Sequence, residues 1–339
     1  MSTPERLDEI VPRQVVILRA LQLGDLLTAV PAFRALRGAY PDACITLVSL
    51  PWAHEFVERF HTYLDDFISF PGIPEFPEQA PNLRELPAFL LKLQKSNFDL
   101  AIQMQGSGGP ANSLIGLWGA KRCAGFYKRG TYCPDEDTFL EYPEHEPEVW
   151  RLLRLMQFLE IPLRGDEMEF PLLEEDYKAF YRLKEEFSLT DNYVCIHPGA
   201  RAVDRRWSPD KFAQVADGLA ALGYQIVITG SQAEAALTES VVSLMRARAV
   251  NLAGKTDLGT LAVLISQARL LICNDTGVSH LASARQTRSL ILFTASDPNR
   301  WAPQNRDLHY VVHDAMTATA PQVLAQAVTH LERACDHVH

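Results

Sequence analysis

Short, unbroken apolar runs separated by helical patterns constrain this chain more than any other feature. Val15-Val16-Ile17-Leu18, Cys44-Ile45-Thr46-Leu47-Val48 and Leu100-Ala101-Ile102 stand in the first half. Tyr193-Val194-Cys195-Ile196, Gln225-Ile226-Val227-Ile228, Leu270-Leu271-Ile272-Cys273 and Ser289-Leu290-Ile291-Leu292-Phe293 stand in the second. The runs are rich in β-branched residues, and their hydrophobicity is continuous rather than alternating. Such strands are covered on both faces, as in parallel sheets. Helical patterns lie between them, notably Asp210 to Leu222 and Gly259 to Ala268. This alternation is the signature of βαβ units. In open sheets of this kind ligands bind beyond the carboxyl ends of the strands, so the loops that follow the strands are where chemistry is to be sought.

A chain of 339 residues exceeds one ordinary domain, and two domains of roughly 150 residues are expected. The predicted architecture is α/β, with two doubly wound domains and a cleft between them. The boundary is expected in the polar stretch from about Glu174 to Asn192, which ends in Thr190-Asp191-Asn192 before a fresh strand. A last helix is expected over Pro321 to Ala334. No apolar run approaches the roughly 20 residues that span a bilayer. The N-terminal stretch MSTPERLDEIVPRQ has no apolar signal core, so a cytoplasmic protein is expected. Six cysteines are scattered without a CxxC pair or a Cys/His cluster, which reads as free thiols in a reducing compartment.

The formal charge of −10 argues against a nucleic-acid partner, which needs a basic footprint. Residues 1–190 hold 29 acids and 19 bases and residues 191–339 hold 13 of each, so the excess lies wholly in the first half. Seven of those acids fall between Asp135 and Glu148. They read as a solvated loop, ill suited to a phosphorylated substrate.

Four loops after strands carry candidate chemistry. Leu23-Gly24-Asp25 follows the first strand, and an Asp after a Gly serves as a helix N-cap as readily as a catalytic group. His197-Pro198-Gly199-Ala200-Arg201, with Arg205-Arg206-Trp207-Ser208-Pro209, offers a glycine turn, cations and a helix start to an anion. A turn with surface arginines explains the same residues. Gly230-Ser231-Gln232-Ala233-Glu234 places a carboxylate where α/β nucleotide sites hold ribose hydroxyls, although Glu234 also suits the first turn of a helix. Asn274-Asp275-Thr276-Gly277-Val278-Ser279-His280 packs an acid, a hydroxyl, a glycine turn and an imidazole behind a buried strand. A capped helix accounts for the Asp and Thr but leaves the His one turn later without a reason.

Together these fragments resemble glycosyltransferase family 9, the ADP-heptose heptosyltransferases that build the inner core of lipopolysaccharide. The matching pieces are Gly24-Asp25 with Pro31, His197-Pro198-Gly199-Ala200, Arg206-Trp207, Gly230 with Glu234, and Asn251-Leu252-Ala253-Gly254-Lys255-Thr256. They continue through Asn274 to Ala282 and Asp297-Pro298 before Arg300-Trp301. The Asp-Thr-Gly-x-x-His-x-Ala block is the most specific of them.

The resemblance implies a GT-B fold of two Rossmann-like domains facing across a cleft. Residues 1–180 would bind the acceptor and 190–318 the nucleotide-sugar. Residues 319–339 would form a C-terminal helix, with a return to the first domain left open. It implies Asp25 as general base and Asp275 on the hydroxyls of the transferred sugar. Ala200, Arg201, Arg205, Thr276, Gly277 and His280 would lie along the diphosphate, Glu234 on the ribose, and Thr256 beside the adenine. Arg205 stands where the family usually has Lys, and arginine meets phosphate through a fork rather than as a point charge. Ser208 separates Trp207 from Pro209, which the family more often joins directly. Lys121 and Arg122, or Lys128 and Arg129, are candidates to meet an anionic acceptor, with a solvated loop as the alternative.

The implied reaction is an inverting transfer that needs no metal and no cofactor beyond the donor substrate, ADP-heptose. The acceptor is a glycolipid or another hydroxyl compound, and peripheral contact with the inner membrane stays open. Three alternatives remain. One is the same chemistry on a protein or small natural-product acceptor, for which the acidic first half speaks. A nucleotide-sugar epimerase on the same scaffold and a non-catalytic nucleotide-sugar binder are the others.

Overall fold

The computed structural model describes residues 11–335. The leader expectation for the N-terminal stretch falls largely outside them. The chain divides into two compact units, Met1–Glu167 and Met168–His339.

The first unit runs β1 (Gln14–Leu18), α1 (Leu23–Ala39), β2 (Cys44–Ser49), α2 (Ala53–Arg59), β3 (Asp66–Ser69), α3 (Leu86–Lys95), β4 (Leu100–Gln103), α4 (Pro110–Gly116), β5 (Arg122–Tyr127), β6 (Phe139–Glu141) and α5 (Glu148–Phe158). Its sheet has the order β3-β2-β1-β4-β5-β6, and every pairing is parallel. That is the strand order of a dinucleotide-binding fold, with its topological switch point between β1 and β4. Val15 to Leu18 and Leu100 to Ile102 are almost wholly buried, which explains their unbroken apolar character.

The second unit runs α6 (Glu174–Glu186), β7 (Tyr193–His197), α7 (Pro209–Ala221), β8 (Gln225–Ile228), α8 (Ala235–Leu244), β9 (Ala249–Asn251), α9 (Leu258–Gln267), β10 (Leu270–Asn274), α10 (Gly277–Ala284), β11 (Ser289–Leu292), α11 (Pro298–Trp301), β12 (His309–Val312) and α12 (Ala320–Cys335). The order β12-β11-β10-β7-β8-β9, again all parallel, repeats the topology of the first sheet. Its switch point lies between β7 and β10. The two doubly wound Rossmann-like units expected from the strand pattern are therefore present.

One boundary differs from the sequence reading. The polar stretch expected to link the domains is α6, which packs on α9. Its charged residues form the solvent face of an amphipathic helix, while Phe180 and Leu183 are buried and the Asp176 carboxylate accepts from the Leu173 N–H at 2.8 Å. The division falls earlier, between Glu167 and Met168. The C-terminal helix α12 packs against α7 of its own unit, contributing Val323, Ala327 and Leu331 to that unit's core.

Candidate functional site

In the second unit the expected donor residues gather at the carboxyl ends of β7 and β10, on either side of the switch point. Asn274, the last residue of β10 and fully buried, holds them together. Its Nδ2 donates to the Pro198 carbonyl at 2.8 Å, and its Oδ1 accepts from the Trp207 N–H at 2.9 Å. One amide thus ties the turn after β7 and the segment bearing Arg205 to the end of β10. Trp207 anchors that segment further, its indole N–H donating to the Ala315 carbonyl at 2.8 Å. Arg206 turns inward, and its Nε donates to the Ala200 carbonyl at 2.7 Å. Arg205 stays half exposed and lies 3.8 Å from the carboxylate of Asp275.

Asp275 is 2% exposed, and its Oδ2 has no hydrogen-bond partner. A buried carboxylate oxygen in that state costs free energy unless a donor reaches it, so it is suited to a ligand hydroxyl. Thr276 is the N-cap of α10, but its side chain makes no capping hydrogen bond. The capped-helix explanation therefore does not account for this hydroxyl. Gly277 opens α10, and His280, one turn on, is buried with its ring 6.0 Å from that of Trp301 in an edge-on contact. A helix start of this kind aims backbone N–H groups at an anion. Arg201 is exposed and Ala200 buried at the turn after β7.

Glu234 combines both roles considered for it. Its Oε2 accepts from the backbone N–H and the hydroxyl of Ser231, each at 2.8 Å, closing a capping box on the short 3-10 turn Gln232–Glu234. Its Oε1 lies against Gly199, where an added Cβ would sit 2.1 Å from it. A side chain at 199 would force the Glu234 carboxylate or the turn to shift. Burial works against the Glu234 carboxylate, yet the Ser231 bonds together with the nearby His197 and Arg206 hold its pKa below the ordinary value. His197, buried beside it with Nδ1 3.1 Å from Thr229 Oγ1, is pushed down by burial and stays neutral near pH 7. The loop carrying Thr256 joins this group, since the Gly254 N–H donates to the Gly230 carbonyl at 2.9 Å. Gly254 has φ +68°, and a Cβ there would meet Gln232 Oε1 at 2.2 Å. Glu234 and Thr256 therefore lie on neighbouring loops at one sheet edge.

In the first unit Asp25 occupies the third position of α1, whose N-cap is Gln22. The capping role open to it in the sequence is not the one it takes. It is half-buried, on the loop-and-helix start that leaves β1 at the switch point. Beneath it lies Arg19, which sequence reasoning passed over. Arg19 is fully buried, donating from Nε to the Asp25 carbonyl at 2.7 Å and from Nη1 to the Met104 carbonyl at 2.6 Å. A cation directly after a buried strand was the available signal.

Lys121 and Arg122 do not join Asp25. They stand at the start of β5, the amino edge of a parallel sheet whose carboxyl edge carries Asp25. A five-residue strand separates the edges by about 15 Å. Lys121 bonds Asp99 at 2.8 Å, and Asp99 also accepts from the Arg13 and Gln14 N–H groups. Burial disfavours the Asp99 carboxylate, but these bonds hold its pKa below the usual range. This pair ties strand starts together, on the sheet edge opposite to Asp25. Arg129, at the carboxyl edge, pairs with Glu141 at 2.8 Å. The acidic stretch ending at Glu148 is also not all solvated, because Glu148 is 5% exposed and lies 3.3 Å from Arg19.

Among the described residues no group of three or more His, Cys, Asp or Glu side chains could hold a metal ion together, and no helix is long and apolar enough to cross a membrane. The cysteines described, Cys44, Cys123, Cys133, Cys195 and Cys273, are free.

Each of the two Rossmann-like units carries polar and charged side chains at its switch point, where α/β folds of this class bind their ligands. The family model for glycosyltransferase family 9 (heptosyltransferase) matches residues 88–327, and the chain belongs to that family. It is a glycosyltransferase. Lipopolysaccharide heptosyltransferase 3 of Escherichia coli is 28% identical over 302 residues, covering 84% of this chain and 83% of that protein. The crystal structure of a family 9 glycosyltransferase from Veillonella parvula superposes with a TM-score of 0.80 at 20% identity, covering 95% of this chain and 98% of that one. The E. coli ADP-heptose lps heptosyltransferase II gives a TM-score of 0.76 at 19% identity, covering 95% and 99%.

Proposed function

We propose that the enzyme transfers a heptose from ADP-heptose to a hydroxyl of the lipopolysaccharide inner core, with inversion and without a metal. The observation that carries the reading is the edge built by β7 and β10, where Asp275 presents a buried, unbonded carboxylate oxygen with Arg205 3.8 Å away. The oxygen suits a sugar hydroxyl and the cation a phosphate. The related E. coli enzymes named for lipopolysaccharide heptosyl transfer support the choice of donor and acceptor.

The Asp25 carboxylate takes the proton of the acceptor hydroxyl as its oxygen attacks the anomeric carbon from the face opposite the diphosphate. The bond from that carbon to the phosphate oxygen breaks, and ADP leaves with the electron pair. Arg205, Arg201 and the backbone N–H groups at the start of α10 meet the charge that grows on the leaving group. Asp275 holds the heptose hydroxyls, while Glu234 and Thr256 hold the nucleoside. The reaction is placed in the cytoplasm, with a glycolipid acceptor reached by peripheral contact with the inner membrane.

Transfer from ADP-heptose is to be measured with lipid A–Kdo and with core lipopolysaccharide already bearing heptose, with and without EDTA. ADP should raise the melting temperature above the shifts given by UDP and GDP, and EDTA should leave the rate intact. Loss of activity in EDTA would overturn the metal-free mechanism. Donor turnover in the absence of any acceptor would favour the epimerase reading.

A further inference from the structure

Arg19 sits where the two loops of the first switch point must be held against each other, and its contacts go to backbone rather than to neighbouring side chains alone. The guanidinium is fully buried. Nε and Nη1 reach the Asp25 and Met104 carbonyls, so a single planar fork joins the start of α1 to the end of β4. Nη2 lies 3.3 Å from Thr28 Oγ1, and the Thr28 hydroxyl donates to the same Asp25 carbonyl at 2.8 Å. The Arg19 carbonyl accepts from Ser49 Oγ at 2.7 Å, which adds the end of β2. One residue on, the Ala20 N–H donates to Gln105 Oε1 at 2.7 Å, a second brace between the same two loops.

The charge is balanced from a distant part of the chain. Nη2 also lies 3.3 Å from Glu148 Oε1, at the first position of α5. The other oxygen of Glu148 lies 3.2 Å from Arg151 Nη1, which donates to the Tyr142 hydroxyl at 2.8 Å. Arg151 is itself 4% exposed. Apolar side chains of similar volume commonly stabilise a fold as well as a buried ion network does. A network of this kind is therefore better explained by the geometry it fixes than by stability. What it fixes is the backbone of the residue assigned as general base.

We infer that Arg19 is a positioning residue for the reaction, locking the Asp25 turn through the Asp25 carbonyl, with Glu148 and Arg151 fixing the guanidinium. The inference rests on the reading of Asp25 as the base. A base displaced by about 1 Å can lose on the order of 10²-fold in rate. Lysine keeps the charge but cannot bond both carbonyls through a planar fork.

The test is a double-mutant cycle between Arg19→Lys and Asp25→Asn. Activity is read with ADP-heptose and whichever of the two acceptors the wild-type enzyme uses, and ADP affinity and melting temperature are measured alongside. Arg19→Lys should lower kcat roughly 10- to 100-fold with ADP affinity unchanged, because the donor edge belongs to the other unit. In the Asp25→Asn background the same change should cost less than about threefold, since no base remains to be misplaced. Thr28→Val, a milder change, should lower kcat several-fold and lose that effect in the Asp25→Asn background; it stands in if Arg19→Lys does not fold. Equal losses in both backgrounds, or a lower melting temperature with kcat unchanged, would reduce Arg19 to a structural role. An inactive Asp25→Asn beside a fully active Arg19→Lys overturns this inference alone. A fully active Asp25→Asn overturns the base assignment and the inference with it.

Discussion

Gly199 shows how narrowly single residues set the candidate donor edge. A methyl group there would lie 2.1 Å from Glu234 Oε1, so Gly199→Ala must displace the carboxylate or the turn. Strain of this sort costs about 1–3 kcal/mol, and part of it should appear as a roughly tenfold weaker Kd for ADP, measured by calorimetry. An unchanged Kd would mean that Glu234 does not contact the nucleoside. Arg205→Ala should lower turnover as well as donor affinity, because the charge on the leaving diphosphate peaks in the transition state. A change in KM alone would instead assign Arg205 to ground-state binding.

At the level of elements, parallel strands put all carboxyl ends on one edge, and that alone sorts the candidate residues. Lys121 bonds Asp99 on the amino edge with its ammonium largely exposed, so Lys121→Ala should leave acceptor KM unchanged and cost less than about 1 kcal/mol. A raised KM would assign it to the acceptor site. The buried central strands were legible because both faces are covered and the sequence runs apolar without interruption. Five strands were not: β3, β5, β6, β9 and β12. Most lie toward sheet edges, where one face meets solvent, and runs such as Asp66–Ser69 and Ala249–Asn251 carry no continuous apolar signal. The candidate donor loops stood out in the sequence through their glycines and acids. Arg19 and the pinning amide of Asn274 did not, because their roles depend on partners such as Glu148, 129 residues away, and Pro198, 76 residues away. Asn274→Ala should cost about 1–3 kcal/mol, the range for leaving buried groups unpaired, and should weaken ADP binding as well. A normal ADP affinity would show that the turn holds without it.

For the whole molecule, acid should be the destabilising direction through its buried histidines. His309 is fully buried with Nδ1 2.8 Å from Ser289 Oγ. Burial, aided by the nearby charges of His330, Arg306 and His280, pushes its pKa down from 6.5 to about 4. The unfolded chain binds this proton near pH 6.5 and the folded chain only near 4. The stabilisation is thus complete above 6.5 and lost as pH falls between those values, by roughly 3 kcal/mol in all. His197, also held neutral by burial, acts in the same sense. Urea unfolding should show stability falling from pH 7 to pH 4.5, and His309→Gln should flatten that fall. An unaltered slope would place the acid sensitivity elsewhere. The central claim is that chemistry and donor binding reside on different units, with Asp25 as the base. Its most direct test is Asp25→Asn assayed for heptosyl transfer and for ADP affinity in the same preparation. Transfer should fall by about 10²–10⁴-fold while ADP affinity and melting temperature hold. A transfer rate within tenfold of wild type, or a parallel loss of ADP binding, would contradict it.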